Sequence, residues 1–158
     1  MATRSSVAVK LASGKTLAVY CHWDGYLQGV GKTLVNHYTS LDKIMELIVL
    51  GDISSLRPEI GAKHAFDNPH KFGTQEYNLH KESVDDMTTF YGRDRSEKGV
   101  EFRAYDSPDE YVKKYEYSGV EFFYLYDITE GEWLFTEAMD RPFESVSKVL
   151  DQLESIAA

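Results

Sequence analysis

Residues 7–38 read VAVKLASGKTLAVYCHWDGYLQGVGKTLVNHY. Val7, Val9 and Leu11 alternate with small or polar neighbours, SGK supplies a turn, and Leu17, Val19 and Cys21 alternate again. A period of two on both sides of a turn predicts a β-hairpin. After the loop HWDGYLQG, Val30, Leu34, His37 and Tyr38 recur at helical spacing, so a helix follows the hairpin directly.

The same rules extend outward from this stretch. Thr39 and Asp42 form a capping-box pattern that opens a second helix through Ile44, Met45 and Ile48, ended by Gly51. From Gly51 to about Asp86 periodicity fades, with Pro58, Pro69, Gly61 and Gly73 as breakers. A connection that long is expected to be functional, mobile, or to hide a short element. MTTFYGRDR, SEKG and VEFRAY read as a second hairpin. Ser107 as N-cap, Pro108 at the first helical position and Glu110 at the third predict a short helix with Tyr111, Val112 and Tyr115. Phe122–Asp127 and Glu132–Thr136 make a third hairpin around TEGE. Pro142 is expected to open a last helix, which packs on the sheet through Val146, Leu150 and Leu153. The order ββαα, loop, ββαββα predicts one α+β domain over 1–158. Its sheet is mainly antiparallel, of five to six strands, with helices on one face.

Composition narrows the function classes. The 158 residues, 42% hydrophobic and 13% aromatic, suffice for a packed core. No apolar run approaches the ~18 residues of a membrane span. MATRSSVAVK has one Arg and no long apolar stretch, which argues against a secretory signal. The single Cys cannot form an internal disulfide and suits a reducing compartment. Residues 1–99 carry 12 Lys and Arg against 12 Asp and Glu, whereas residues 100–158 carry 5 against 14, so the whole net charge of -9 lies in the C-terminal part. Such a field repels phosphate backbones and argues against general nucleic-acid binding.

GVGKT invites comparison with a phosphate-binding loop, but G-x-x-x-x-G-K-[ST] needs Gly at position 26, where Tyr26 stands. An anion could still meet free amides and Lys32 at a helix start near Gly29. His22, Asp24 and His37, or His64, Asp67 and His70 in HAFDNPH, carry metal-ligating groups without a recognised spacing, so no metal or other cofactor is expected. Cys21 and His22 are adjacent on a strand and point to opposite faces, a poor nucleophile–base pair. The candidate binding site is the loop itself. Tyr20, Trp23 and Tyr26 offer flat faces, His22, Asp24 and His37 polar groups, and Lys32 a cation, which together suit a base, a sugar or another polar heterocycle. Arg93 and Arg95, alternating on a predicted strand, would share one face and clamp a phosphate or carboxylate.

The motifs MATRSSVAV, YCHWDGY, GKTLVNHY, LGDISSL, FDNP and YGRDRSEKGVE resemble, in this order, a group of small proteins of tailed phages, prophages and some bacteria. The resemblance spans roughly residues 2 to 105. It implies a viral or prophage setting in a bacterial host cytoplasm and supplies no catalytic residue. The resulting expectation is an accessory protein that binds a small polar, nucleotide-like ligand or a host protein, in host takeover or counter-defence. A hydrolase of nucleotides or phosphoesters using His22, Asp24 and His37 is the second reading, and a virion component the third.

Overall fold

Arg4–Lys10 (β1) and Thr16–Cys21 (β2) pair antiparallel, from Ser5 opposite Cys21 to Lys10 opposite Thr16. Gly14 closes their turn at φ 95°, a backbone that glycine adopts without steric cost. The computed structural model describes residues 2–115 and 119–157. Alternation along β1 and β2 sends Val7, Val9, Leu17, Val19 and Cys21 to one face, and Ala8 and Ala18 to the other. Both faces are buried.

Val120–Asp127 (β6) and Glu132–Thr136 (β7) form the expected hairpin. β6 lies parallel to β1, with Val7 opposite Tyr124 and Lys10 opposite Asp127. The segment after Gly51 contributes Ile53–Ser55 (β3), parallel to β2 at Cys21, and β3 pairs antiparallel with Thr89–Phe90 (β4). Arg103–Tyr105 (β5) pairs with Thr16–Ala18, so β3 and β5 share the outer edge of β2. Glu144–Ser145 (β8) completes the sheet beside β7. The chain is therefore α+β with a mainly antiparallel sheet. Among the described residues it has eight strands rather than five or six, seven of them in the order β4-β3-β2-β1-β6-β7-β8 and β5 off this path beside β2.

On the face of Val7 and Val9 lie a π-helical turn, Leu27–Gly31, running straight into α1 (Lys32–His37), then α2 (Leu41–Val49) and α6 (Val146–Ala157). Val30, Leu34, Ile44, Leu47, Ile48, Val146 and Leu150 are buried there against Tyr124, Trp133 and Phe135. The cap of α2 is Ser40, one residue after the expected Thr39, and its hydroxyl accepts from Lys43 N. α6 begins at Val146, because Glu144 and Ser145 are held in the sheet. Leu153 is already exposed, so the apolar stripe reaches the sheet only through its first turns.

Helices are not confined to that face. α5 (Pro108–Lys114), capped by Ser107 with Pro108 at its first position as the sequence predicts, buries Tyr111 against Ala8, Ala18 and Leu125. The two alanines leave room for that aromatic ring. α3 (Gln75–Val84), capped by Thr74, is, after β3, a second short element hidden in the 51–86 segment. None of its residues is buried, which explains its lack of a hydrophobic period.

The expected hairpin through GRDR does not form. Tyr91–Arg95 is a helical turn (α4), closed by Ser96 at φ 55°, and β4 and β5 pair with different strands. The cause is the buried Asp94, whose carboxylate turns back to accept from Phe90 N at 2.8 Å. A strand would have carried that side chain away from Phe90.

Candidate functional site

The parallel ladder between β2 and β3 runs on past Cys21. His22 N donates to Ile53 O and Trp23 N to Ser54 O, each at 3.0 Å. The chain then reverses at Asp24, whose φ of 57° is left-handed, and Gly25, whose amide donates to Thr3 O at 2.8 Å. A Cβ on Gly25 would stand 2.7 Å from Thr3 O, so no larger residue fits this corner. The reversal pushes Trp23, 45% exposed, and Asp24 out of the sheet into solvent.

They meet a cleft of about 400 Å³ at the carboxyl ends of β2 and β3, where sheets with parallel strands commonly bind ligands. Ser54 and Ser55 of β3, Arg57, Thr89 of β4, Phe66 and Asp67 complete its lining. Phe66 is braced from behind by Arg95, whose guanidinium carbon lies 4.3 Å from its ring centre and 5.0 Å from that of Tyr91. The lining combines one exposed indole, one guanidinium, two carboxylates and several hydroxyls. It is a polar site with aromatic walls.

The remaining expected site residues fall into two groups. Tyr20 and His22 support Trp23: Tyr20 Oη and His22 Nδ1 are hydrogen-bonded at 2.7 Å, and the imidazole meets the indole edge-on at 4.7 Å. Partial burial, then the Arg4 charge, lowers the His22 pKa from its ordinary value and favours the neutral ring. Tyr26 Oη donates to Asp24 at 3.5 Å, at the limit of a hydrogen bond. Lys32 and His37 do not border the cleft. Lys32 faces Glu154 of α6, and His37 is exposed at the end of α1.

Two expectations are corrected here. Arg93 and Arg95 form no clamp, since α4 is helical and both are engaged: Arg93 with Asp94, Gly61 O and Thr88 O, Arg95 with Glu97 and the rings. The amides near the start of α1 are not free for an anion, because those of Gly29 and Gly31 donate to Tyr26 O and that of Val30 to Asp24 O. Residues 64–70 do not act together: His64 turns to Thr89, Asp67 borders the cleft, and His70 meets the His80 ring edge-on. Among the described residues no group of three or more His, Cys, Asp or Glu is placed to hold a metal ion.

Ser54 and Ser55 lie in LGDISSL and Phe66 in FDNP, motifs that carried the resemblance but assigned them no role, and Arg57 and Thr89 lie in none of the motifs. A further cue was that all but Thr89 fall in the long segment marked as functional, mobile or hiding an element.

Cys21 is fully buried beneath the site, and burial pushes its thiol up to about 12. The native protein is therefore expected to resist a thiol-disulfide reagent at pH 8, whereas the chain in denaturant releases one equivalent. Rapid reaction of the folded protein would show that the end of β2 opens readily.

Comparison with known protein families, curated proteins and solved structures finds no match to this chain. No helix is long and apolar enough to cross a membrane among the described residues.

Proposed function

We propose that the protein is a phage-type accessory protein of a bacterial host cytoplasm that binds a small polar, nucleotide-like ligand in the cleft beside Trp23. The observation that carries this reading is the contrast between the two tryptophans. Trp133 is 4% exposed and fills the core, whereas Trp23 is held on a strained, glycine-dependent corner with 45% of its surface in solvent. A planar heterocycle stacking on an exposed indole gains roughly 1–3 kcal/mol. Asp24 and Asp67 offer acceptors to amino or hydroxyl groups, and Arg57 a positive charge for an acidic one. The hydrolase reading through His22, Asp24 and His37 has less support, because His37 lies outside the cleft.

Trp23→Ala is the test. Its melting curve is expected to stay close to that of wild type, since an exposed side chain contributes within about 1 kcal/mol. Small molecules released by heat from protein purified out of bacterial cells, identified by mass spectrometry, are expected with wild type and absent with the variant. Ligand retained by a well-folded Trp23→Ala protein would sink the stacking site. A wild-type protein that carries nothing and is stabilised by no nucleotide or nucleoside would point to a host protein as the partner.

A further inference from the structure

We propose that Thr89, on the wall of this cleft, and His64, which borders the adjoining cavity, form a nucleophile–base pair able to open a carboxylic ester presented to Thr89. The proposal rests on the reading of the cleft as a ligand site, and adds an activity to it. Thr89 sits on β4 opposite Ser55, half-buried, with its side chain bordering the same cavity as Trp23 and Asp24. Its Oγ1 lies 3.0 Å from His64 Nε2.

The direction of that hydrogen bond follows from the other side of the ring. His64 Nδ1 is 2.9 Å from the carbonyl oxygen of Ala62, which can only accept. Nδ1 of the neutral ring therefore carries the proton, Nε2 presents its lone pair, and the Thr89 hydroxyl donates to it. This is the tautomer that a general base for a hydroxyl nucleophile requires. The imidazole is held by a third group, as such pairs need. Asp94 Oδ1 accepts from His64 N at 3.0 Å and stands 3.8 Å from Nδ1, while Oδ2 accepts from Phe90 N, the residue after Thr89. One buried carboxylate thus fixes the loop carrying the base to the strand carrying the nucleophile. Asp94 is a positioning residue, and Arg93, 3.0 Å away, balances its charge.

Arg57 borders the cleft as well. Its amide donates to Thr88 Oγ1 and its Nη1 to Leu56 O, and it joins no ion pair among the described residues. It is the cation available to an oxyanion. In the first step Thr89 Oγ1 bonds to the ester carbonyl carbon, its proton passes to His64 Nε2, and the carbonyl electrons move to oxygen. Collapse of that intermediate breaks the bond to the alkoxy group, which leaves as the alcohol with the proton from His64. Water, deprotonated by His64, then releases the acid and restores Thr89.

The whole chain is incubated with p-nitrophenyl acetate, quenched in acid and mapped by mass spectrometry, with p-nitrophenol release followed in parallel. Acetyl is expected on Thr89. Thr89→Val, nearly isosteric, should lose this label, Thr89→Ser should keep it, and His64→Gln should slow it by about 100-fold or more. If His64→Gln does not fold, the Val and Ser variants decide. Label confined to lysines and tyrosines, or unchanged in Thr89→Val, overturns the proposal. The aryl ester needs no stacking on Trp23. Failure to acetylate Thr89 in a protein that still binds its ligand through Trp23 thus refutes the pair alone, and acetylation in a protein that binds no ligand refutes the binding reading alone.

Discussion

Trp133→Ala is expected to lower stability by about 3–5 kcal/mol, the range for removing a large aromatic side chain from a packed core. The indole is edge-on to Tyr126 at 5.2 Å, and its Nε1 donates to the carbonyl oxygen of Tyr38, just after α1, at 2.9 Å. Tyr38, itself fully buried, passes the connection on by donating from its hydroxyl to Arg57 O at 2.8 Å. Loss of the indole leaves a cavity and an unpaired buried carbonyl, two separate penalties. Urea denaturation followed by circular dichroism measures the sum. Trp133→Phe, which restores most of the volume without the donor, should recover more than half of it. A Trp133→Ala protein as stable as wild type would mean that the core on this face is not packed as described.

Asp94→Ala should cost a similar amount, about 3–5 kcal/mol, because it removes one partner of a buried ion pair. The carboxylate is inaccessible to solvent and serves His64 N, Phe90 N and the Arg93 guanidinium at once. Its loss strands two amides and leaves a positive charge mostly out of water. Asp94→Asn keeps an acceptor and should fall between. Hydrogen exchange separates this effect from a general loss of stability: the amides of His64 and Phe90 should exchange faster in Asp94→Ala than those of β1. Uniform acceleration across the sheet would show that Asp94 does not act locally.

The elements legible in the sequence are those in which each residue answers to its own neighbours. The β1–β2 hairpin followed from alternation, α5 from Ser107 and Pro108, and β6–β7 from two apolar runs around TEGE. Alternation fixes which face a side chain takes but not the direction of the strand beside it, so the parallel pairing of β1 with β6 was not visible. Two- and three-residue strands such as β4 and β3 are too short to show a period. Arg93 and Arg95 suited an alternating strand until the buried carboxylate between them made the turn helical. The cleft was half legible. HWDGY stood out by residue type, and Trp23 and Asp24 do border the cavity. Their partners Ser54, Arg57 and Thr89 arrive from distant positions through sheet pairing, which no local pattern encodes.

The pairing of β1 with β6 also sets a timetable for synthesis. Val7 and Tyr124 lie side by side in the sheet but more than a hundred residues apart in the chain. A ribosome adding about 5–20 residues per second leaves the inner edge of β1 bare for on the order of ten seconds before β6 emerges. During that interval the N-terminal hairpin presents unpaired amides and carbonyls beside Val7 and Val9, an edge of the kind that captures other strands. The last third of the chain is thus the cover that the first third waits for, and nascent chains crowded on one message are exposed to mispairing with each other until it arrives.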